Sequence, residues 1–200
     1  MGKRDQILNI LNSLVEEYVR KYYTVYAFDF FAIDVMGSVA RGKENPRDLD
    51  VCFIITSEVG VRNEERIWSF LEELENKLRE INVGLDHSVL NVEELERRLR
   101  LLADSVESFL KELDSTGDVV IDTMNVHYAS AILHVVKAVD IKVASLLYSI
   151  YLVNGLHVVP WHNMWIHGKE RVKQLVEPYI DNIMKSVCRY IMENMCRGYT

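Results

Sequence analysis

Residues 36–55 read Met36-Gly37-Ser38-Val39-Ala40-Arg41-Gly42-Lys43-Glu44-Asn45-Pro46-Arg47-Asp48-Leu49-Asp50-Val51-Cys52-Phe53-Ile54-Ile55. From Asp48 onward the residues are mostly apolar, β-branched or aromatic and predict a strand over 48–56, preceded by the turn chemistry of Asn45-Pro46-Arg47. Strand side chains alternate, so Asp48 and Asp50 project from one face. Two such carboxylates repel unless a cation lies between them, and an oxygen-seeking divalent ion such as Mg²⁺ is the natural one. Val51, Phe53, Ile54 and Ile55 stiffen the strand that carries them. Gly37 permits close backbone approach, and Ser38 offers a hydroxyl and an amide to a phosphate. A rival reading takes Gly37-x-x-x-x-Gly42-Lys43 as a P-loop. It fails at the next position, where a magnesium-binding Ser or Thr is required and Glu44 stands, and where a helix should begin but Asn45-Pro46 follows.

Working outward, Phe28 to Met36 is rich in aromatic and β-branched residues and predicts a strand that ends at Gly37-Ser38. Ile7, Leu8, Leu11, Leu14, Val15, Tyr18, Val19 and Tyr22 form one face of a helix over 5–22. A second helix spans 62–81 with Ile67, Phe70, Leu71, Leu74, Leu78 and Ile81 inward. Residues 82–90 predict a third, shorter strand containing Asp86. Asn91 and Glu94 resemble a capping pair that starts a long helix ending near Leu113. Asp114-Ser115-Thr116-Gly117-Asp118 is the best boundary, giving domains 1–114 and 119–200. Beyond it, 124–153 and 169–196 read as long helices joined by a connection over 154–168. The expected class is α/β: a small mixed sheet flanked by helices, followed by a C-terminal helical bundle.

The 49% of hydrophobic residues and 26% of charged ones provide for a packed core. The formal charge of −7 argues against general nucleic-acid binding and against anionic membrane surfaces. It divides unevenly. Residues 124–200 hold eight Lys or Arg and five Asp or Glu, so they carry +3 and residues 1–123 carry −10. No apolar run approaches the ~18 residues of a membrane span, and Met1 to Gln6 leads into an amphipathic pattern, so neither a membrane anchor nor a signal peptide is expected. Cys52, Cys188 and Cys196 form no Cys-x-x-Cys and are expected to be free thiols in a reducing, cytoplasmic compartment.

Gly37-Ser38, nine intervening residues and then Asp48-Leu49-Asp50, with Ala40-Arg41-Gly42 between, resemble the DNA polymerase beta-type nucleotidyltransferase superfamily over residues 28–90. The resemblance implies a nucleotidyltransferase domain over 1–114 and a third carboxylate on a following strand, for which Asp86 is the best match. Asp34, Asp118 and Asp122 are its rivals. It further implies two Mg²⁺ ions held by Asp48, Asp50 and Asp86, with Asp86 placing or deprotonating the acceptor hydroxyl. Gly37 and Ser38 would hold the nucleotide phosphates, and Arg41 and Lys43 are either phosphate clamps or solvated loop charges. The implied reaction transfers AMP from ATP to a hydroxyl of a small molecule or protein and releases pyrophosphate.

Helical C-terminal partners of this kind occur in kanamycin nucleotidyltransferase-like enzymes, so 119–200 is expected to bind the acceptor or to support oligomerisation, for example as a homodimer. His157, His162 and His167 recur at intervals of five, which is not a helical metal spacing. Trp161 and Trp165 are read as packing residues that could stack on a base, and Met184, Met192 and Met195 as core filler. Lys169, Arg171 and Lys173 form a small basic cluster, and His127 and His134 share a helix face. The alternative function is a nucleotide-binding interaction module, such as an antitoxin partner of a helical HEPN-type protein. The helices here lack the Arg-x4–6-His motif of such toxins.

Overall fold

The computed structural model describes residues 2–22, 30–56, 61–156, 158 and 162–195. The chain forms two compact units, Met1–Val92 with Pro160–Gly168, and Glu93–Val159 with Lys169–Thr200. The division falls at Val92 and not at the expected 114–118.

The first unit is a four-stranded mixed sheet in the order β3-β2-β1-β4. It is made of β1 (Phe30–Val35), β2 (Asp48–Ile55), β3 (Gly84–Asn91) and β4 (Met164–His167), with α1 (Lys3–Tyr22), the single turn α2 (Gly37–Ala40) and α3 (Val61–Glu80). β1 runs antiparallel to β2 and β4, and β2 runs parallel to β3. The alternation in β2 sorts its side chains. Leu49, Val51 and Phe53 join Ile7, Leu11 and Leu14 of α1 and Phe70, Leu74 and Leu78 of α3 in one core. Phe30 lies 5.4 Å from Phe53 and 5.0 Å from Phe70, ring centre to ring centre. Each such buried side chain contributes about 1.5–3 kcal/mol. With the odd positions of β2 committed to this core, Asp48, Asp50 and Cys52 are turned to the opposite face.

β4 was expected to be connecting loop. It pairs instead with β1, Val35 opposite Met164 and Asp34 opposite Trp165. Met164 and Ile166 pack on the core, which leaves Trp165 on the carboxylate-bearing face. Gly168 closes the strand with φ +76°, and a Cβ there would overlap the Phe31 carbonyl, so no other residue fits without backbone movement.

The second unit is helical: α4 (Val92–Asp104), α5 (Val106–Leu113), α6 (Val119–Val139), α7 (Ile141–Val153), α8 (Lys169–Val176) and α9 (Ile180–Tyr190). Three of the expected long helices are broken. Ser105 caps α5 by accepting from Ser108 N–H at 3.2 Å. Asp140 leaves the helical conformation and accepts from Lys142 and Val143 N–H, separating α6 from α7. The third expected helix, 169–196, is interrupted by a short 3₁₀ turn, Glu177–Tyr179, around Pro178. The Asp114–Asp118 segment is a cap: Asp118 accepts from Val120 and Ile121 N–H at the start of α6. α6 is long and apolar enough to cross a membrane, but 56% of its most apolar window is buried inside the protein. Arg98 of α4 is buried, with Nε 2.7 Å from Glu94, Nη2 2.9 Å from the Asn125 side chain, and the guanidinium over the Tyr128 ring.

Candidate active site

The site is assembled on the sheet face opposite the helices of the first unit. β1 ends at Val35, and the chain turns through Met36 and Gly37 into α2. Met36 N–H donates to the Asp50 carbonyl at 2.9 Å, which fixes the start of the turn against β2. Gly37 has φ +61°, and a Cβ on it would occupy the place of the Asp50 carboxylate. Glycine is therefore required twice over, by backbone conformation and by space. The rest of the turn closes on itself through Arg41 N–H to Gly37 O, Gly42 N–H to Val39 O and Lys43 N–H to Ser38 O, all 3.0–3.1 Å. The chain then enters β2 and not a long helix, in line with the exclusion of a P-loop.

The parallel register sets Asp48 opposite Gly84, Asp50 opposite Asp86 and Cys52 opposite Ser88. Asp48, Asp50 and Asp86 thus share one patch of one face, with Asp48 and Asp86 exposed and Asp50 partly buried. The Asp50 carboxyl titrates above the ordinary carboxylate range. Burial is the main cause, followed by the charges of Asp48 and then Asp86. The Ser38 backbone N–H, donated to Asp50, and the Arg41 charge oppose this shift. Ser38 N–H is spent on Asp50, while its hydroxyl is buried without a hydrogen-bond partner. A Cβ at Gly84 would lie 3.9 Å from Asp48 Cβ, in ordinary contact.

Hard divalent cations prefer carboxylate and hydroxyl oxygens. This donor set, with its mutual repulsion and the unspent Ser38 hydroxyl, fits Mg²⁺ chemically. Among the described residues no group of three His, Cys, Asp or Glu side chains is placed as it stands to hold a metal ion.

Arg41 and Lys43 are exposed in the turn after α2. Neither is in an ion pair among the described residues, and the same holds for Arg4 and Arg47. Of the rivals to Asp86, Asp34 lies on the same face, opposite Cys52 and Trp165, and is buried. Asn163 Nδ2 donates to its Oδ1 at 2.9 Å. That contact was missed in the sequence because 154–168 carries no strand periodicity to place Asn163 beside β1. Asp118 and Asp122 belong to the second unit and are engaged locally. Asp118 caps α6, and Asp122 accepts from Ser115 Oγ at 2.8 Å and Thr116 N–H at 2.7 Å.

His157, Trp161, Cys196 and the side chain of Met195 lie outside the described residues. His167 and Trp165 stand in β4. His134 is buried, Met192 is 63% exposed and so is not core filler, and Lys173 is paired with Glu170 at 2.8 Å. Cys52 is buried, which pushes its thiol up to about 12, and Cys188 is exposed; both are free. Comparison with family models, curated proteins and solved structures finds no match for this chain.

Proposed function

We propose that the first unit is a Mg²⁺-dependent nucleotidyltransferase that moves AMP from ATP to a hydroxyl on a small molecule or protein. The observation that carries this reading is the register of Asp50 with Asp86 on parallel strands, with Asp48 on the same face and the Gly37-Ser38 turn against Asp50. One or two Mg²⁺ ions held by Asp48, Asp50 and Asp86 would supply charge neutralisation and Lewis-acid polarisation at the phosphates.

The chain's own groups supply the rest. The Ser38 hydroxyl, buried and unspent, donates to a phosphate oxygen. Arg41 and Lys43, unpaired beside it, neutralise the triphosphate charge. Asp86, exposed at the edge of the patch, orients the acceptor hydroxyl and takes its proton as the oxygen attacks the α-phosphorus and pyrophosphate leaves. Asp34, fixed by Asn163, lies one residue pair further along the face and keeps that end of the site polar. The free Cys52 and Cys188 thiols support a reducing, cytoplasmic setting.

The test is calorimetric titration of ATP with and without Mg²⁺, on wild type and on Asp48→Ala. Binding that requires Mg²⁺ and is lost in the variant is expected, since removing an oxygen ligand removes the ion that carries the triphosphate. A wild type that ignores Mg·ATP, or an Asp48→Ala protein that binds it equally well, would overturn the proposal.

A further inference from the structure

α2 is an unusual element on which to build a phosphate site. It is a single turn, and isolated helical turns are unfavourable because nucleation fixes several residues for one hydrogen bond. Its N-cap, Met36, provides no side-chain cap. β2 holds its start through the Met36 and Ser38 amides, and the end of the turn needs a second anchor.

That second anchor comes from the first turn of α1. The Arg4 guanidinium Nε donates to the Val39 carbonyl at 2.9 Å, on α2 itself. In the same place Arg4 N–H donates to the Glu44 carbonyl at 3.1 Å. The exchange is reciprocal. An amide from the start of α1, a position with no intrahelical acceptor, is satisfied by the turn, and the Val39 carbonyl, which already accepts from Gly42 N–H, takes a second bond from the Arg4 side chain. Next to it, Lys3 Nζ donates to the Asn82 carbonyl at 3.0 Å, at the entry to β3. Arg4 forms no ion pair with a carboxylate among the described residues, so its one side-chain bond is the one to Val39. The guanidinium is half-buried against the turn, and Arg is suited to this because its planar fork loses little freedom when one N–H is fixed.

We infer that Arg4 is a positioning residue of the nucleotide site: it pins the Gly37–Glu44 turn, and with it Ser38, Arg41 and Lys43, in the arrangement that receives the triphosphate. This rests on the nucleotidyltransferase reading, but the pin itself is testable without nucleotide.

The experiment compares wild type, Arg4→Ala, Arg4→Lys and a neighbouring control, Asp5→Ala, by hydrogen exchange of the 38–43 amides and by Mg·ATP titration. Arg4→Ala is expected to speed exchange across the turn and to weaken Mg·ATP binding roughly tenfold, the scale of one charge-assisted hydrogen bond. Arg4→Lys is expected to recover part of both, and Asp5→Ala to change neither. In turnover assays the loss should fall on KM and leave kcat within about twofold, because ground-state and transition-state binding are weakened alike. Unchanged exchange in Arg4→Ala overturns the pin. Faster exchange with unchanged Mg·ATP affinity overturns the positioning role. A wild type that binds no Mg·ATP, with exchange behaving as expected, overturns the functional reading and leaves the pin as a purely structural contact.

Discussion

Asp50→Asn is the most informative single substitution, because it should make the protein more stable and the site inert. Asn has the shape of Asp and keeps an oxygen to accept from Ser38 N–H, so packing and the turn are retained. What it removes is one charge from between two others. Asp86 is one strand away at ~5 Å, and Asp48, two residues along the same strand, is at about 7 Å. Two unit charges at the shorter distance repel by about 0.8 kcal/mol in water and about 3 kcal/mol at an effective dielectric of 20. Asp48 and Asp86 are exposed, so the lower figure is the most that either contributes, and losing the attraction of Arg41 returns part of the gain. The net expectation is a stabilisation of ~1 kcal/mol near neutral pH, or about 2–4 °C in Tm for a chain of this size.

The pH dependence has a definite sign. The Asp50 carboxyl titrates above its ordinary range, so its contribution to wild-type stability is full below that range and is lost as pH rises through the raised value. The advantage of Asp50→Asn should therefore be absent in acid, where wild-type Asp50 is protonated, and should grow through and above the carboxylate range. Mg²⁺ should raise the Tm of wild type at neutral pH and leave Asp50→Asn unmoved. Thermal melts of both proteins at about pH 4 and about pH 7.5, with and without Mg²⁺, read all of these terms. An Asp50→Asn protein that melts below wild type at neutral pH without Mg²⁺, or that gains the same shift from the ion, would refute the account of the site.

Gly37→Ala should abolish Mg·ATP binding in titration and lower Tm, because the new Cβ must displace the Asp50 carboxylate at a positive φ, a strain of roughly 1–3 kcal/mol. Arg98→Ala should destabilise the helical unit by about 1–3 kcal/mol in urea unfolding, since it removes one of the two arginines on Glu94, leaves the buried Asn125 Oδ1 without its donor and takes the guanidinium from Tyr128. Glu94 is held down at about 2 by Arg97 first and then Arg98. Its stabilising contribution is present above the ordinary carboxylate range and is lost as pH falls from there towards about 2, and an acid titration of Arg98→Ala should show a weaker fall than wild type. Iodoacetamide should modify Cys188 in the native protein and leave Cys52 untouched at neutral pH, as peptide mass mapping would show, because Cys52 is buried and its thiolate is suppressed.

The face that carries the acids was legible in the sequence because period-2 alternation is strict. Once Leu49, Val51 and Phe53 are apolar, Asp48 and Asp50 have only the other face. Asp86 was proposed because the resemblance implies a third carboxylate on a following strand, and its pairing with Asp50 comes from the parallel register of β2 and β3, which no alternation announces. Breaks that rest on a single side chain were not legible. Ser105 and Asp140 interrupt runs of good helix formers, and only their capping geometry, which no periodicity announces, shows where the helix stops. β4 was hidden differently. It is four residues long, too short for alternation to register, and it is specified by its long-range pairing with β1. The unit boundary followed from these misses: Asp114–Asp118 has the composition of a linker but serves as the N-cap of α6.

Net charge proved a poor guide to the site, and charge pairing a better one. On the exposed helices some cations are matched locally, Lys77 with Glu73, Arg79 with Glu75, Arg100 with Glu96 and Lys111 with Glu107, each one helical turn apart, while Lys142, Lys185 and Arg189 form no ion pair among the described residues. Around the Gly37 turn no cation is matched among the described residues. Arg4, Arg41, Lys43 and Arg47 form no ion pairs among the described residues, and Asp48 and Asp50, a few residues on, with Asp86 brought beside them by strand register, form none either. Opposite charges this close in sequence would ordinarily relax into salt bridges at little cost. Here the acids are tied to strand register and the cations to a closed turn, so Arg41 attracts Asp50 without closing a salt bridge. A ligand that presents a cation to the acids and an anion to the bases satisfies both at once. A metal-bound triphosphate has that pair of charges, which is why the unpaired state of the site supports a nucleotide substrate more strongly than the acidic composition of the surrounding unit weighs against one.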